Sequence, residues 1–369
     1  MPFRSQFFLN FQTKTMFQKR LLPFRFLSLT LCLFLLIFSN CKNDSDKPNT
    51  PDVSGITSDV RIHRFDQDIY AIDTLNTEGG VKALEQKYPE FSNLYFERVI
   101  GIKEPKDSLG KYCSQVRPFL TNPAMRGMMD TMALVYKNFD DIEKQIEEGL
   151  RYYKHYFPKK PVPTDIYTMP SAYNFAAVLP NDSTIAIGLD MFLGENHSTY
   201  ESLITTYPNF ISRTFRKDYL VERVFELLVG DLVGEATGNR LIDYMIHNGK
   251  KQYILDCLLP NTPDSIKLAY TREQMKGCYT NEGFTWGRIL KQNLLYSTKF
   301  QDFQKLVTAS PDAPIIAAEA PGGVGNFLGW QIVKQFMKRN PNTSLTELIN
   351  IRDAQKILDL SKYKPPQEK

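Results

Sequence analysis

The stretch 21–41, LLPFRFLSLTLCLFLLIFSNC, does most to limit what this chain can fold into, because it separates the first 40 residues from everything able to build a core. Lys14, Lys19, Arg20 and Arg25 lead into an uncharged apolar run, 26–38, that stops at Ser39-Asn40-Cys41. A charged lead, a short apolar middle and a small-residue exit are the parts of a secretory signal. The run is shorter than the roughly 20 residues a membrane-spanning helix needs. Residues 1–40 are therefore read as a cleaved signal peptide. Its start is Met1 or Met16, the latter giving the more compact signal.

Cys41 stands where a bacterial lipoprotein signal places the residue that is acylated and becomes the mature N-terminus. Ser39 suits that pattern, whereas Phe38 and Asn40 depart from its commonest residues, and an ordinary signal with a chance cysteine is the alternative. Acyl chains such as palmitate contribute about 0.8 kcal/mol per buried methylene, so a lipidated Cys41 would be firmly held. The polar, Pro-containing segment after it suits a flexible tether, assigned to 41–58. The expectation is a soluble body, 59–363, in the periplasm on a lipid anchor, with 364–369 as a tail.

Removing the signal changes the charge argument. The whole chain has 45 Lys+Arg and 41 Asp+Glu, but Arg4, Lys14, Lys19, Arg20 and Arg25 leave with residues 1–40, which hold no acid. The remainder carries 40 basic and 41 acidic side chains. A nucleic-acid partner usually announces itself by a basic excess, and none is left.

The body shows no internal repeat and reads as one compact unit rich in helices. Val81, Leu84, Tyr88, Phe91, Leu94 and Tyr95 recur at helical spacing over 80–97, interrupted at Pro89. Helices are also predicted over 108–119, 125–136, 139–155, 219–233, 241–255, 281–296 and 327–337. Gly230, Gly234 and Gly238 are expected to let another element approach the 219–233 helix. Residues 59–68, with His63, read as a short strand or extended arm, His63 being a packing residue rather than a metal ligand. Residues 165–169, 173–178 and 184–189 predict strands, the last two a hairpin about Pro180-Asn181-Asp182. The class is thus α+β, mostly helical, with a small central antiparallel or mixed sheet. Its outer strand could accept a peptide by strand addition, although edges are more commonly covered.

Candidate chemistry is sparse. A zinc peptidase helix carries His-Glu-x-x-His, two imidazoles on one face and a carboxylate that polarises water. The 219–233 helix has no histidine, and His63, His155, His197 and His247 are unpaired in sequence. No Gly-x-Ser-x-Gly elbow occurs. No catalytic residue, metal or cofactor is implied, although Glu235, Asp243 and Glu282 can be nominated as carboxylates. The glycine-rich 321–325 precedes a helix but lacks the Lys-Ser/Thr of a phosphate-binding loop, and reads as a tight packing turn. Cys257 and Cys278 form the shortest loop for a disulfide, with buried reduced thiols as the equal alternative.

Several segments in order resemble one family, the gliding-motility lipoprotein GldB. They include Ile62-His63-Arg64-Phe65-Asp66, Tyr88-Pro89-Glu90-Phe91, Ile185-Ala186-Ile187-Gly188-Leu189-Asp190, 245–253, Asn281-Glu282 with Trp286, and Gly329-Trp330-Gln331-Ile332-Val333. The resemblance implies a zincin-like single domain without the metal signature, a pseudoenzyme. It also implies a non-enzymatic envelope component needed for gliding and tied to type IX secretion, whose partners are other proteins of that machinery. Residues that could line a cleft or bind a partner are His247, Glu235, Glu282 and Trp286. The alternatives are a divergent envelope metallohydrolase, which needs His247 to converge with Glu235 or Glu282, and a peptide-binding module at the sheet edge.

Overall fold

The computed structural model describes residues 48, 50–103, 109–203 and 205–366. The signal, Cys41 and the first part of the tether lie outside them. Of these residues 58% are helical, and they are organised on one four-stranded sheet. Strands β1 (Arg61–His63), β2 (Asp165–Met169), β3 (Ala177–Asn181) and β4 (Thr184–Gly188) lie in the order β1-β2-β4-β3.

The hairpin forms as expected, β3 running antiparallel to β4, with the Asn181 side chain accepting from the Ser183 amide at 2.9 Å to close the turn. The other two pairings are parallel, β1 with β2 and β2 with β4, so the sheet is mixed. A parallel pair needs a long crossover, and the helices between His63 and Asp165 provide it for β1. Strand β3 starts at Ala177 rather than Tyr173, because buried Asp190 turns the preceding loop. Its carboxylate accepts from the Ser171 amide at 2.7 Å and the Tyr173 amide at 2.5 Å. Ala172 and Tyr173 take left-handed φ values of 52° and 62° in that turn.

Side chains alternate across a strand, and here both faces are covered. On one face Met169, Ala186 and Tyr167 meet helices α1 (Phe65–Tyr70), α2 (Thr77–Lys87), α3 (Pro89–Leu94) and α4 (Leu109–Thr121). Tyr167 stacks on Phe91 at 3.9 Å between centroids and on His63 at 4.4 Å. His63 also bonds Asp165 at 2.7 Å, the packing role expected of it. The extended arm is a strand for three residues only; Phe65 and Ile69, one turn apart and fully buried, convert the rest to α1. Pro89 opens α3 at its first turn, where its missing N–H costs nothing.

On the other face Ile166, Ile185 and Ile187 join the larger core. It is built from α5 (Pro123–Val135), α6 (Asp140–Tyr156), α7 (Leu220–Val233), α8 (Leu241–Leu258), α9 (Arg272–Thr280), α10 (Glu282–Lys291), α11 (Phe300–Val307), α12 (Val324–Arg339), α13 (Leu345–Asn350) and α14 (Ala354–Ser361). Each fully buried Leu, Ile or Phe contributes about 1.5–3 kcal/mol. The close approach expected at Gly230 and Gly234 is absent, since a Cβ at either would meet nothing within 4 Å. It occurs instead between α8 and α12, where a Cβ on Gly249 would stand 2.3 Å from the Gly329 carbonyl. Beside this crossing fully buried Trp330 donates to Asp256 at 2.7 Å, and Asp256 also receives Lys267 at 2.6 Å. The 321–325 turn is a packing device: a Cβ on Gly322 would strike the Ser310 carbonyl at 2.2 Å, and Gly323 takes φ +77°.

Within the segment read as tether, Val53 is buried in the larger core and the Thr57 carbonyl accepts from Lys154 at 3.3 Å.

Candidate functional site

Two cavities hold the chemistry worth weighing. The smaller, about 350 Å³, lies where α7 ends and brings together Glu235 and His247, two of the residues singled out by sequence, with Asp243 and Lys250. Gly234, at φ +67°, ends α7 and turns the chain ahead of Glu235. His247 and Lys250 come from α8, and 349–352 with Ala354 complete the lining.

Two of these four polar groups, Asp243 and Lys250, already have structural work. The Asp243 carboxylate accepts from Arg240 through its amide and Nε at 2.9 Å and Nη2 at 2.8 Å, capping α8 and holding its pKa down against the upward pull of burial. Lys250 donates to the carbonyl of Ile351 at 2.5 Å and of Ile349 at 3.4 Å, tying down the end of α13. Burial lowers its pKa from 10.5 to about 8. His247 is lowered from 6.5 to about 4 by burial, then by Lys251 and Lys250, so its imidazole is neutral at neutral pH. A neutral imidazole can accept a proton, but a hydrolytic base also needs a partner that orients it. No hydrogen bond joins His247 to a carboxylate among the described residues.

Glu282 and Trp286 are not part of this cavity. They sit on α10 against the C-terminal segment, where Tyr363 donates to Glu282 at 2.7 Å and meets the Trp286 ring edge-to-face at 5.3 Å. The convergence of His247 with Glu282 is therefore corrected to a docking contact for the chain end. Cys257 and Cys278 are also separate, as buried free thiols on α8 and α9. Of the two alternatives left open by the sequence the structure shows the reduced pair, and burial pushes the Cys278 thiol up to about 12.

Helix α7 closes its polar side on itself. Glu222 and Glu226, one turn apart, flank Arg223, whose Nη1 bonds Glu226 and whose Nε lies 3.8 Å from Glu222. Burial drives the Glu222 carboxyl well above its ordinary range. Among the described residues no group of three His, Cys, Asp or Glu side chains converges as a metal site would require.

The larger cavity, about 840 Å³, was not legible in the sequence. It opens between α6, the turn at 213–219 and the segment 259–271 that leads into α9. Arg213, Arg216, Asp141 and Glu148 line it with Leu259, Ile266, Tyr219 and Tyr270. Three separate segments supply these residues, so no local spacing could have collected them.

Fold and site together define a mostly helical α+β body with polar clefts, in which Asp243 caps α8 and Glu282 holds the C-terminal segment. The family model described as gliding motility protein GldB matches residues 46–365, and the chain belongs to that family. Membership associates it with bacterial gliding motility and, through the family's lipoprotein label, with the cell envelope. No described helix is long and apolar enough to cross a membrane. No curated protein and no solved structure matches the chain.

Proposed function

We propose that the protein is a non-enzymatic component required for gliding, linked to type IX secretion, acylated at Cys41 and holding a partner of that machinery with a body in the periplasm. The observation that carries the non-enzymatic reading is the His247 cavity: Asp243 and Lys250 are spent on helix ends, and among the described residues no carboxylate is hydrogen-bonded to His247 to orient it. The zincin-like ancestry belongs to the same proposal, with the Glu222-Arg223-Glu226 cluster filling the polar side of α7 by an internal guanidinium.

The test is complementation of a deletion strain. Cys41→Ala should shift the protein out of the membrane fraction and stop colony spreading, whereas a His247→Ala, Glu235→Gln double variant should stay motile. Full membrane recovery of the Cys41→Ala protein would sink the anchor. Loss of motility in a double variant of normal abundance would favour the second reading, a divergent envelope metallohydrolase, for which Glu235 and His247 sharing one cavity is the specific support. That reading also requires stoichiometric zinc whose chelation lowers the unfolding temperature. Strand addition at the sheet edge is disfavoured by Pro180 in β3, which lacks an N–H, and by the register shift between Val178 and Asn181.

A further inference from the structure

The larger cavity holds a guanidinium, that of Arg213, with no carboxylate partner among the described residues. Its size, about 840 Å³, falls within the roughly 300–1,000 Å³ of sites that enclose small ligands. Arg213 and Arg216 come from the same turn. Arg216 is largely occupied, donating to Asp218 at 2.9 Å and Glu195 at 3.4 Å. Arg213 donates only to the carbonyl of Ala269, at 2.7 Å, and forms no ion pair with a carboxylate among the described residues. The Nε–H groups of both arginines are buried without a protein acceptor.

The remaining lining narrows the ligand. Asp141 and Glu148, seven residues apart on α6, place two carboxylates in the same cavity, with Glu195 close by. A compact inorganic anion would gain from Arg213 and lose to these acids. A chain with a carboxylate at one point, a basic group at another and apolar side chains between them complements the whole lining, including Leu259, Ile266 and the rings of Tyr219 and Tyr270.

We propose that this cavity binds a peptide segment through a carboxylate held by Arg213, with Arg216 beside it. The planar guanidinium suits a carboxylate better than an ammonium would. The proposal rests on the reading of the body as a holder of partners, and names what is held. The carboxylate can come from a chain end or from an Asp or Glu side chain.

The experiment is fluorescence anisotropy on the detergent-solubilised full chain with three labelled pools of random pentapeptides: acid-free with a free C-terminal carboxylate, acid-free and amidated, and amidated with one Glu. The free-acid or the Glu pool should bind, and which of them does identifies the source. The acid-free amidated pool should bind about tenfold more weakly or worse, and Arg213→Gln should lower binding by a similar factor while the protein stays folded, its unfolding midpoint moving only by the lost bond to the Ala269 carbonyl. Arg213→Lys should restore part of it. Equal binding of all pools, binding indifferent to Arg213→Gln, or binding of inorganic phosphate and no peptide would overturn the proposal. Absent peptide binding in a strain that still needs Cys41 for motility removes only this inference; a Cys41→Ala strain that glides normally removes the functional reading, whatever the peptides do.

Discussion

Gly249→Ala should destabilise the protein although alanine is the better helix former. Placing a Cβ at 249 sets it 2.3 Å from the carbonyl carbon and oxygen of Gly329 and 2.7 Å from the Trp330 amide nitrogen. All three are backbone atoms, so no rotamer change relieves the overlap. Carbon contacts settle near 3.5–4.0 Å, and α8 must therefore move away from α12 by about 1 Å or more. Overpacking of this kind costs about 1–3 kcal/mol, and the rigid backbone argues for the upper end. Gly→Ala in a helix returns about 1 kcal/mol, leaving a net loss of about 2 kcal/mol. At about 2–4 °C per kcal/mol for large domains, the unfolding midpoint falls by roughly 4–8 °C. Gly329→Ala, whose Cβ would stand 1.7 Å from the Met245 carbonyl oxygen, should cost more. The control is Gly277→Ala in α9, where nothing lies within 4 Å and the propensity gain of about 1 kcal/mol should appear alone. Thermal unfolding followed by circular dichroism reads all three. A midpoint for Gly249→Ala that matches or exceeds the wild type, as in Gly277→Ala, would refute the close-crossing argument.

Two further outcomes follow from buried charge. His247 has a folded pKa of about 4 against 6.5, so as pH falls through that window the unfolded chain takes up a proton the folded one refuses, and stability drops. Because the imidazole is only half-buried, screening reduces the effect to roughly 1–2 kcal/mol; the stability difference between wild type and His247→Gln should shrink by that amount from pH about 6.5 to about 4, and a pH-independent difference would contradict it. Asp256→Asn keeps an acceptor for Trp330 but removes the carboxylate from buried Lys267 and Lys334, at 2.6 and 3.8 Å. Breaking one side of a buried ionic cluster costs about 3–5 kcal/mol. A loss below about 1 kcal/mol in urea unfolding would show that the cluster does not hold α8 to α12.

What the sequence determined by itself is local and periodic. The apolar spacing of 219–233 and 139–155 gave α7 and α6 nearly to the residue, because a helix is specified by neighbours three and four positions away. The hairpin was legible from its turn residues, and the family from short segments that prove to be packing points: Asp66 receives Arg64 at 2.7 Å, Asp190 holds the Ser171 turn, and Gly249 meets Gly329. Which glycine made the close contact was not legible, since Gly230 and Gly249 differ only in what lies opposite. Parallel pairing of β1 with β2 likewise depended on a crossover of about a hundred residues. Tertiary structure also decided the sites. It put Glu235 and His247 in one cavity and moved Glu282 to the C-terminal segment. It also gathered Arg213, Glu148 and Leu259 around a second cavity. A cavity is made by elements distant in sequence, so the charge left unpaired inside it is fixed only when those elements meet.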